Sequence, residues 1–258
     1  MTRTRSPRHE SPLLTACWRN LVVVNFAVDP RLVAPFVPAG TELDFHAGET
    51  FLSLVGFLFE RTRLAGRVPL WPCSTFEEVN LRFYVRRHTS EGTRRAVSFV
   101  REVVPCRTVA WGARVLYGEP YVALPMEHRW ELDDPRSPES GGRFSYRWRT
   151  GGAWLEIAAR TSAPLLSSSP GSTEEFILDH SWGYTRLRDG GTKEYRVEHI
   201  PWKYRNAESV EVDPRVGAFY GTSMSGVLTL PPHSCFVVPG SEVSVFAGRR
   251  LVEQRVAE

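Results

Sequence analysis

The sequence predicts a mainly β protein, in which about ten strands and three short helices form a closed, mainly antiparallel β-barrel or cone with a central cavity. Short β-branched and aromatic segments alternate with Gly, Pro, Asp and Asn turns along the chain. The segment Phe76–Arg86 also alternates apolar and polar residues with the two-residue period of a strand. With 258 residues the chain can bury a sizeable core. We interpret residues 13–258 as a single domain behind a flexible arm, residues 1–12.

Turn and capping residues divide the chain into these elements. Asp29 followed by Pro30 is typical of a helix N-terminus, and Gly118 is typical of a helix C-terminus. Ser172 and Glu175 form a capping-box pattern. The predicted helices are Arg31–Phe36, Pro105 to about Tyr117, and Ser172 to about His180. The predicted strands are Trp18–Val28, Glu42–Phe45, Phe51–Phe59, Phe76–Arg86, Arg95–Val104, Tyr121–Leu132, Arg143–Arg149, Trp154–Arg160, Tyr184–Arg188, Glu194–His199, Trp202–Val212 and segments within Val216–Val252.

The sequence also predicts one hairpin and one long loop. Glu42–Phe45 and Phe51–Phe59 are expected to pair as a hairpin across the turn at residues 46–49. Residues 61–74 contain several prolines and glycines and are predicted to be a loop, long enough to cover a cavity mouth.

Charge gives little support to a nucleic-acid partner. Lysine and arginine total 32 residues and aspartate and glutamate total 29, for a net charge of +3. The basic residues are scattered through both halves without a sustained block. Only Lys193 and Lys203 are lysines, so a mechanism that needs an amine nucleophile has two candidates.

Cysteine usage and hydropathy predict a cytoplasmic protein without a membrane partner. The four cysteines are Cys17, Cys73, Cys106 and Cys235. They are far apart and form no C-x-x-C pair, so we expect them to be reduced and mostly buried. The longest apolar runs, Leu21–Val28 and Phe51–Phe59, are shorter than the roughly 20 residues that span a bilayer. The first residues are polar and rich in arginine and do not resemble a signal peptide.

The strand Phe76–Arg86 has two faces of opposite character. Its apolar face carries Val79, Leu81, Phe83 and Val85, and its polar face carries Glu78, Asn80, Arg82, Tyr84 and Arg86. The polar face fits an antiparallel strand that is open to solvent on one side. It also fits the inner wall of a ligand-binding barrel, where a carboxylate, an amide, a guanidinium and a phenol in one row would bind a small polar molecule.

Motifs of several enzyme classes are absent from the sequence. There is no dinucleotide-binding glycine motif, no P-loop, no serine-hydrolase elbow and no zinc-protease motif. His180, Glu198 and His199 are candidate metal ligands, but Glu198 and His199 are adjacent in a predicted strand and point to opposite faces. We therefore predict neither a metal nor another cofactor.

Three groups of residues resemble the YqjF-like family. They are Phe76–Arg82, the second helix with the following Gly118–Tyr121 and Met126, and Val197–Trp202. The resemblance covers most of the chain, from about Cys17 to about Val238. That family is placed in one superfamily with the acetoacetate decarboxylases, whose fold is a β-barrel or cone around a central cavity. The resemblance therefore implies a closed fold with a cavity for this chain.

The resemblance also implies two residues of the cavity. The spacing from Trp18-Arg19-Asn20 to Asp29 matches that of the decarboxylases' active-site arginine and places it at Arg19. Phe76-Glu77-Glu78 places their active-site glutamate at Glu78. If the two side chains lie within about 4–6 Å of each other, Arg19 would hold Glu78 ionised.

Other residues of the decarboxylase site have no counterpart. The second glutamate would fall near Leu52 or Ser53, and neither is acidic. The lysine pair, one of which forms the Schiff base, follows a proline, whereas here Pro120 is followed by Tyr121 and Val122. Imine-dependent decarboxylation is therefore not expected.

We predict a protein that binds a small polar or acidic organic molecule in the barrel cavity. If it is an enzyme, the chemistry is of a lyase or hydrolase type, with Glu78 as acid or base and Arg19 as its catalytic partner. The predicted ligand-binding residues are Asn80, Arg82, Tyr84, Tyr121, His199 and Trp202. A non-catalytic carrier or sensor with the same pocket, and a structural or interaction protein with a filled barrel, remain alternatives, and homo-oligomerisation is left open.

Overall fold

The computed structural model describes residues 11–137 and 139–251, so most of the arm predicted over residues 1–12 lies outside the described residues. The strands are β1 (Leu14–Val28), β2 (Glu42–Leu43), β3 (Thr50–Leu64), β4 (Val68–Pro69), β5 (Phe76–Thr89), β6 (Gly92–Val104), β7 (Tyr121–Ala123), β8 (Met126–Leu132), β9 (Gly142–Thr150), β10 (Ala153–Thr161), β11 (Leu166–Ser167), β12 (Trp182–Arg186), β13 (Thr192–His199), β14 (Lys203–Asn206), β15 (Ser209–Val212), β16 (Ser234–Val245) and β17 (Arg249–Arg250). The helices are α1 (Pro30–Val33), α2 (Arg107–Leu116), α3 (Thr173–Leu178), α4 (Val216–Tyr220) and α5 (Thr222–Ser225), and a 3-10 turn covers Ala34–Phe36.

Seven strands of the larger sheet form a closed ring. Its order is β1, β3, β5, β6, β12, β13 and β16, and β16 pairs with β1 to complete the circuit. Neighbouring strands run antiparallel except β6 and β12, which run parallel. The prediction of a mainly β, mainly antiparallel closed fold is confirmed.

A second sheet covers part of the outside of the ring. It has the order β15, β10, β9, β8. Its buried side chains, among them Tyr146 and Ile157, share one apolar cluster with Val79, Leu81 and Phe83 of β5. The apolar face of β5 therefore points out of the ring and into this interface. The polar face of β5 points into the ring.

Close contact between the ring and the second sheet depends on a glycine in β3. A Cβ added at Gly56 would lie 2.8 Å from Cδ1 of Ile157 and 2.9 Å from Cδ2 of Tyr146. These distances are too short for carbon atoms, so only glycine lets the two sheets approach this closely here.

The helix ends follow the predicted capping residues. Asp29 accepts a hydrogen bond from the backbone N of Arg31 at α1 (2.8 Å), and Ser172 accepts one from the backbone N of Glu175 at α3 (3.2 Å). Gly118 follows the last turn of α2 with φ of 77°, the left-handed conformation that glycine adopts most easily.

Several local predictions are wrong, and the first two concern β2 and the region after Val216. The segment that begins at Glu42 does not pair with β3, because β2 pairs with β5, although the turn between His46 and Glu49 forms as expected. The start of the region predicted as strands after Val216 instead forms α4 and α5, so the described residues contain five helices rather than three. These helices are four or five residues long and have no side-chain cap, which leaves little signal in the sequence.

The cysteine prediction is partly wrong. Cys73 and Cys106 form a disulfide with a Cα–Cα distance of 6.3 Å. This bond joins the segment after β4 to the residue before α2. Cys17, which is buried, and Cys235, which is half-buried, are free. Among the described helices, none has the length and apolar character needed to cross a membrane, and the cytoplasmic location stays a prediction.

Candidate functional site

A cavity of about 450 Å³ lies inside the ring. Strands β1, β3, β5, β6 and β13 contribute its walls, and α2 and α3 contribute further side chains. Most of the wall is apolar and aromatic, whereas one side carries acidic, phenolic and amide groups. A volume of this size is typical of sites for small organic ligands.

The polar row of β5 forms part of the cavity wall. Glu78, Asn80 and Arg82 line the cavity, with exposed fractions of 3%, 3% and 8%. The Asn80 amide nitrogen donates a hydrogen bond to Oε1 of Glu78 (2.9 Å). Nη2 of Arg82 donates to the backbone oxygen of Ile177 in α3 (3.1 Å). Of the two interpretations of this strand, its position in the ring therefore fits a cavity wall.

Two neighbouring strands extend the polar row sideways. Glu102 of β6 lies opposite Asn80, and Tyr121 of β7 lies opposite Glu102. The Tyr121 hydroxyl donates a hydrogen bond to Oε2 of Glu78 (2.8 Å). The pleat thus places two carboxyl groups, an amide and a phenol on one patch of the inner surface.

Glu119 brings a third carboxyl group to this patch. It follows Gly118 at the end of α2, is 4% exposed, and accepts a hydrogen bond from the Thr185 hydroxyl. The Tyr195 side chain of β13 also reaches Glu119. Its ring passes over Gly183 of β12, where an added Cβ would lie 2.2 Å from Cζ of Tyr195. Gly183 therefore leaves the space that Tyr195 needs.

Burial sets the protonation of these carboxyl groups. It raises the pKa of Glu78 to about 7, although hydrogen bonds from Asn80 and Tyr121 act in the opposite direction. Burial also raises the pKa of Glu119 to about 7. The pKa of Glu102 lies well above its usual range, because Glu102 is buried and because Glu119 and Glu78 are close.

The phenol and imidazole groups of the wall considered next stay neutral near pH 7. Burial raises the pKa of the Tyr121 and Tyr195 hydroxyls well above the usual value, so both remain hydrogen-bond donors. Burial is the main cause that lowers the pKa of His180, and the positive charge of Arg82 lowers it further. Burial also lowers the pKa of His199. Both imidazoles are therefore neutral.

Several buried polar atoms of the wall have no hydrogen-bond partner among the described residues. They are Oδ1 of Asn80, Oε2 of Glu102, Oε2 of Glu119, Nε of Arg82 and Nε1 of Trp18. A buried polar atom without a partner costs roughly 1–3 kcal/mol. A ligand that supplied the missing partners would recover this free energy.

The remaining predicted binding residues fall in different places. His199 and Trp202 line the cavity and stack with ring centroids 3.9 Å apart, and the Trp202 indole donates to the Ser241 hydroxyl (2.9 Å). Tyr84 is fully buried on the same face of β5 but does not line the cavity. Its hydroxyl bonds to Ser53 (2.7 Å) and its ring contacts His180.

The prediction that Arg19 lies in the cavity beside Glu78 is wrong. Its side chain is 39% exposed and pairs with Glu60 (3.5 Å), and it is not part of the cavity wall. The preceding residue, Trp18, points inward instead. Alternation along β1 places Arg19 on the outer face, next to a register shift at Asn20, which has φ of 50°.

Sequence reasoning missed Glu102, Glu119, His180 and Tyr195 as cavity residues. Glu102 is the only acidic residue of the predicted strand Arg95–Val104, and an acid within an apolar run was a usable signal. Glu119 stood in a motif already noted for its likeness to the YqjF-like family. His180 and Tyr195 gave no local signal, because their inward direction depends on how the ring closes.

Among the described residues, the same wall has neither a metal-binding cluster nor a lysine amine. Over residues 11–137 and 139–251 there is no group of three or more His, Cys, Asp and Glu side chains arranged to hold a metal ion. The Nζ of Lys193 donates to the backbone oxygen of Leu116 (2.6 Å), and neither Lys193 nor Lys203 belongs to the described cavity wall.

Comparison with known proteins identifies the family. The model of the DUF2071 family, described as an uncharacterized conserved protein, matches residues 15–242. The chain belongs to the DUF2071 family. Within 201 aligned residues it is 24% identical to the uncharacterized protein YqjF of Bacillus subtilis (strain 168), and the alignment covers 76% of this chain and 77% of YqjF. The resemblance to the YqjF-like family is thereby confirmed.

Solved structures with the same fold are acetoacetate-decarboxylase-like proteins. The enduracididine biosynthesis enzyme MppR in complex with pyruvate superposes on this DUF2071 chain with a TM-score of 0.68 at 15% identity, covering 98% of this chain and 95% of MppR. Acetoacetate decarboxylase from Legionella pneumophila gives a TM-score of 0.63 at 12% identity, covering 98% and 92%. At these identities the comparison shows the fold and leaves the activity open.

Proposed function

We propose that this chain binds a small organic molecule inside the ring and that Glu78 and Glu119 are acid–base groups facing it. The observation that carries the proposal is the cavity of about 450 Å³, which combines an apolar wall with buried polar atoms that lack partners. A filled ring would need no such space, so the cavity supports binding over a purely structural role. MppR, which shares the fold, binds pyruvate, and this supports small-molecule binding as well.

The two carboxyl groups suit proton transfer near neutral pH. A pKa of about 7 keeps both protonation states of Glu78 and Glu119 populated at neutral pH. Oε2 of Glu119 has no assigned hydrogen-bond donor among the described residues, and the carboxyl group of Glu102 is its neighbour. Chemistry of this kind needs no imine, in agreement with the position of Tyr121 where the decarboxylases carry a lysine.

Binding is tested by closing the cavity mouth with one substitution. Thr108 lies in the first turn of α2, is exposed and lines the cavity, whereas the neighbouring Arg107 is exposed but does not line it. We expect Thr108→Trp to weaken binding of the neutral probe 2-phenylethanol at least about ten-fold, or about 1.4 kcal/mol. Arg107→Trp is the matched control and should leave the affinity unchanged.

The measurement is isothermal titration calorimetry on the full chain. Mass spectrometry of the denatured protein would show in parallel whether a small molecule is bound after purification. Equal affinity in wild type and in Thr108→Trp, or no binding of the probe by the wild type, would contradict the proposal.

A further inference from the structure

The charges of the cavity wall are strongly unequal. Its acidic residues are Glu78, Glu102 and Glu119, and its only arginine or lysine among the described residues is Arg82. The imidazoles of His180 and His199 are neutral because burial lowers their pKa. Three carboxyl groups therefore share one cavity with a single guanidinium among the described residues.

Arg82 lies at one end of the acidic group, and its charge opposes the burial that raises the pKa of Glu78. It stands four residues beyond Glu78 on β5, which separates the two Cα atoms by about 13 Å along an extended strand. One of its nitrogens is already bonded to the backbone of Ile177. Glu102 lies opposite Asn80 and Tyr121 in the sheet, and Glu119 is close enough to add to the burial that raises the pKa of both Glu102 and Tyr121.

The unpaired acceptor oxygens of this acidic group would be satisfied by a ligand that donates hydrogen bonds. Oε2 of Glu102, Oε2 of Glu119 and Oδ1 of Asn80 are acceptors, their residues are at most 4% exposed, and none has a partner among the described residues. An ammonium group offers three donors and an amidinium offers several in one plane. An anionic group would add a charge of the same sign and would leave these acceptors unpaired.

An aromatic cluster next to Glu78, which pairs across the strands with Phe57, suits an apolar body. Trp18 packs against Phe57, Phe59 and Trp202 with ring centroids 5.1–5.8 Å apart, and all four side chains line the cavity. Aromatic faces of this kind bind apolar rings, and they also attract organic cations.

We infer that the natural ligand is an organic cation, with an amine or amidine head group at Glu78, Glu102 and Glu119 and an apolar or aromatic body against Trp18. The inference rests on the proposed function, since it names the class of molecule that the cavity binds. The sequence predicts a small polar or acidic ligand, and the inference departs from the acidic alternative because Arg19 does not line the cavity.

Three probes that differ only in their head group test the inference. They are phenethylamine, which is a cation, 2-phenylethanol, which is neutral, and phenylacetate, which is an anion. Titration calorimetry on the full chain at pH 7.5 should give phenethylamine an affinity at least about ten-fold above that of either other probe, since charge-assisted hydrogen bonds are stronger than neutral ones.

Substitutions within the wall make the test specific. Glu102→Gln keeps the size of the side chain but removes the carboxyl group that a bound cation would ionise, so it should weaken phenethylamine about ten-fold or more and leave 2-phenylethanol within about two-fold. Glu119→Gln should act in the same direction and serves as a second variant. Glu60→Gln, which changes a carboxyl group outside the cavity, is the matched control and should leave all affinities unchanged.

The outcomes separate the two proposals. Equal affinities for all three probes, a preference for phenylacetate, or unchanged phenethylamine binding in both Glu102→Gln and Glu119→Gln would overturn the inference and leave the binding function intact. Binding of none of the probes would overturn both.

Discussion

At the scale of single residues, Glu119 is the side chain best placed to move a proton. It combines a pKa of about 7 with an unpartnered oxygen, whereas each oxygen of Glu78 already accepts a hydrogen bond, from Asn80 or from Tyr121. A base of this kind could remove a proton from a carbon next to a carbonyl group. We expect the wild type to catalyse deuterium exchange into 4-phenyl-2-butanone in heavy water, measured by proton NMR.

The substitutions that test this step keep the shape of the side chain. Glu119→Gln should slow the exchange about 10²–10⁴-fold, the range typical of a general base. Glu78→Gln should slow it less, and Glu60→Gln should have no effect. If the wild type does not exceed the buffer rate, the acid–base proposal fails and the protein is better described as a carrier.

The same scale shows which site residues could be predicted. Two-residue alternation places Glu78, Asn80 and Arg82 together, because β5 is regular over this stretch. It does not settle which face points inward, since both faces of β5 are buried. Arg19 was misplaced because spacing to Asp29 says nothing about the direction of a side chain, and Trp18 rather than Arg19 faces the cavity.

At the scale of elements, the disulfide connects two segments that border the cavity mouth. Leu64 and Leu70 lie on one side of Cys73–Cys106 and Thr108 and Trp111 on the other, and all four line the cavity. The bond closes a loop with a sequence separation of 33 residues. By loop-closure entropy, a bond of this span stabilises the fold by about 3–4 kcal/mol.

Removal of this bond gives a measurable prediction. Cys73→Ser should lower the free energy of unfolding by about 2–4 kcal/mol in urea titrations without a reducing agent. With dithiothreitol the wild type should fall to the level of the variant. Cys235→Ser removes a free cysteine, and any effect it has should not depend on the reducing agent. A wild type whose stability is insensitive to dithiothreitol would contradict the prediction.

Secondary-structure elements that are determined by neighbouring residues can be predicted from the sequence. The caps at Asp29 and Ser172 and the strands Arg143–Arg149 and Trp154–Arg160 depend on neighbouring residues, and the sequence predicts them. The segment Tyr121–Leu132 was predicted as one strand, but it divides at Pro125 into β7 and β8, which belong to different sheets. That division depends on distant partners, β6 and β9, which the segment does not encode.

At the scale of the whole molecule, the buried carboxyl groups tie stability to pH. In the folded chain the pKa values of Glu78 and Glu119 are about 7 and that of Glu102 is also raised, against a reference value of 4.5. Between these values the folded state binds more protons than the unfolded state. Their contribution is therefore fully present below about pH 4.5 and is lost as the pH rises through about 7.

The histidines act in the opposite direction over a lower range. Burial lowers the pKa of His180 and His199 below the reference value of 6.5. As the pH falls below about 6.5, these histidines take up protons in the unfolded state but not in the folded state, which lowers the free energy of unfolding. Between pH 6.5 and pH 8 the change in the free energy of unfolding therefore reports mainly on the carboxyl groups. Each unit of pKa shift corresponds to about 1.4 kcal/mol for one group.

We expect the free energy of unfolding of the wild type, from urea titrations, to fall by about 1–3 kcal/mol between pH 6.5 and pH 8. Glu102→Gln removes one buried acid whose raised pKa contributes to this loss, so the stability of the variant should change less over the same interval. The difference in free energy of unfolding between Glu102→Gln and the wild type should therefore shift in favour of the variant as the pH rises. Glu60→Gln should follow the wild type, because Glu60 lies outside the cavity. Parallel curves for wild type and Glu102→Gln would show that the three carboxyl groups do not share a buried, weakly ionised environment.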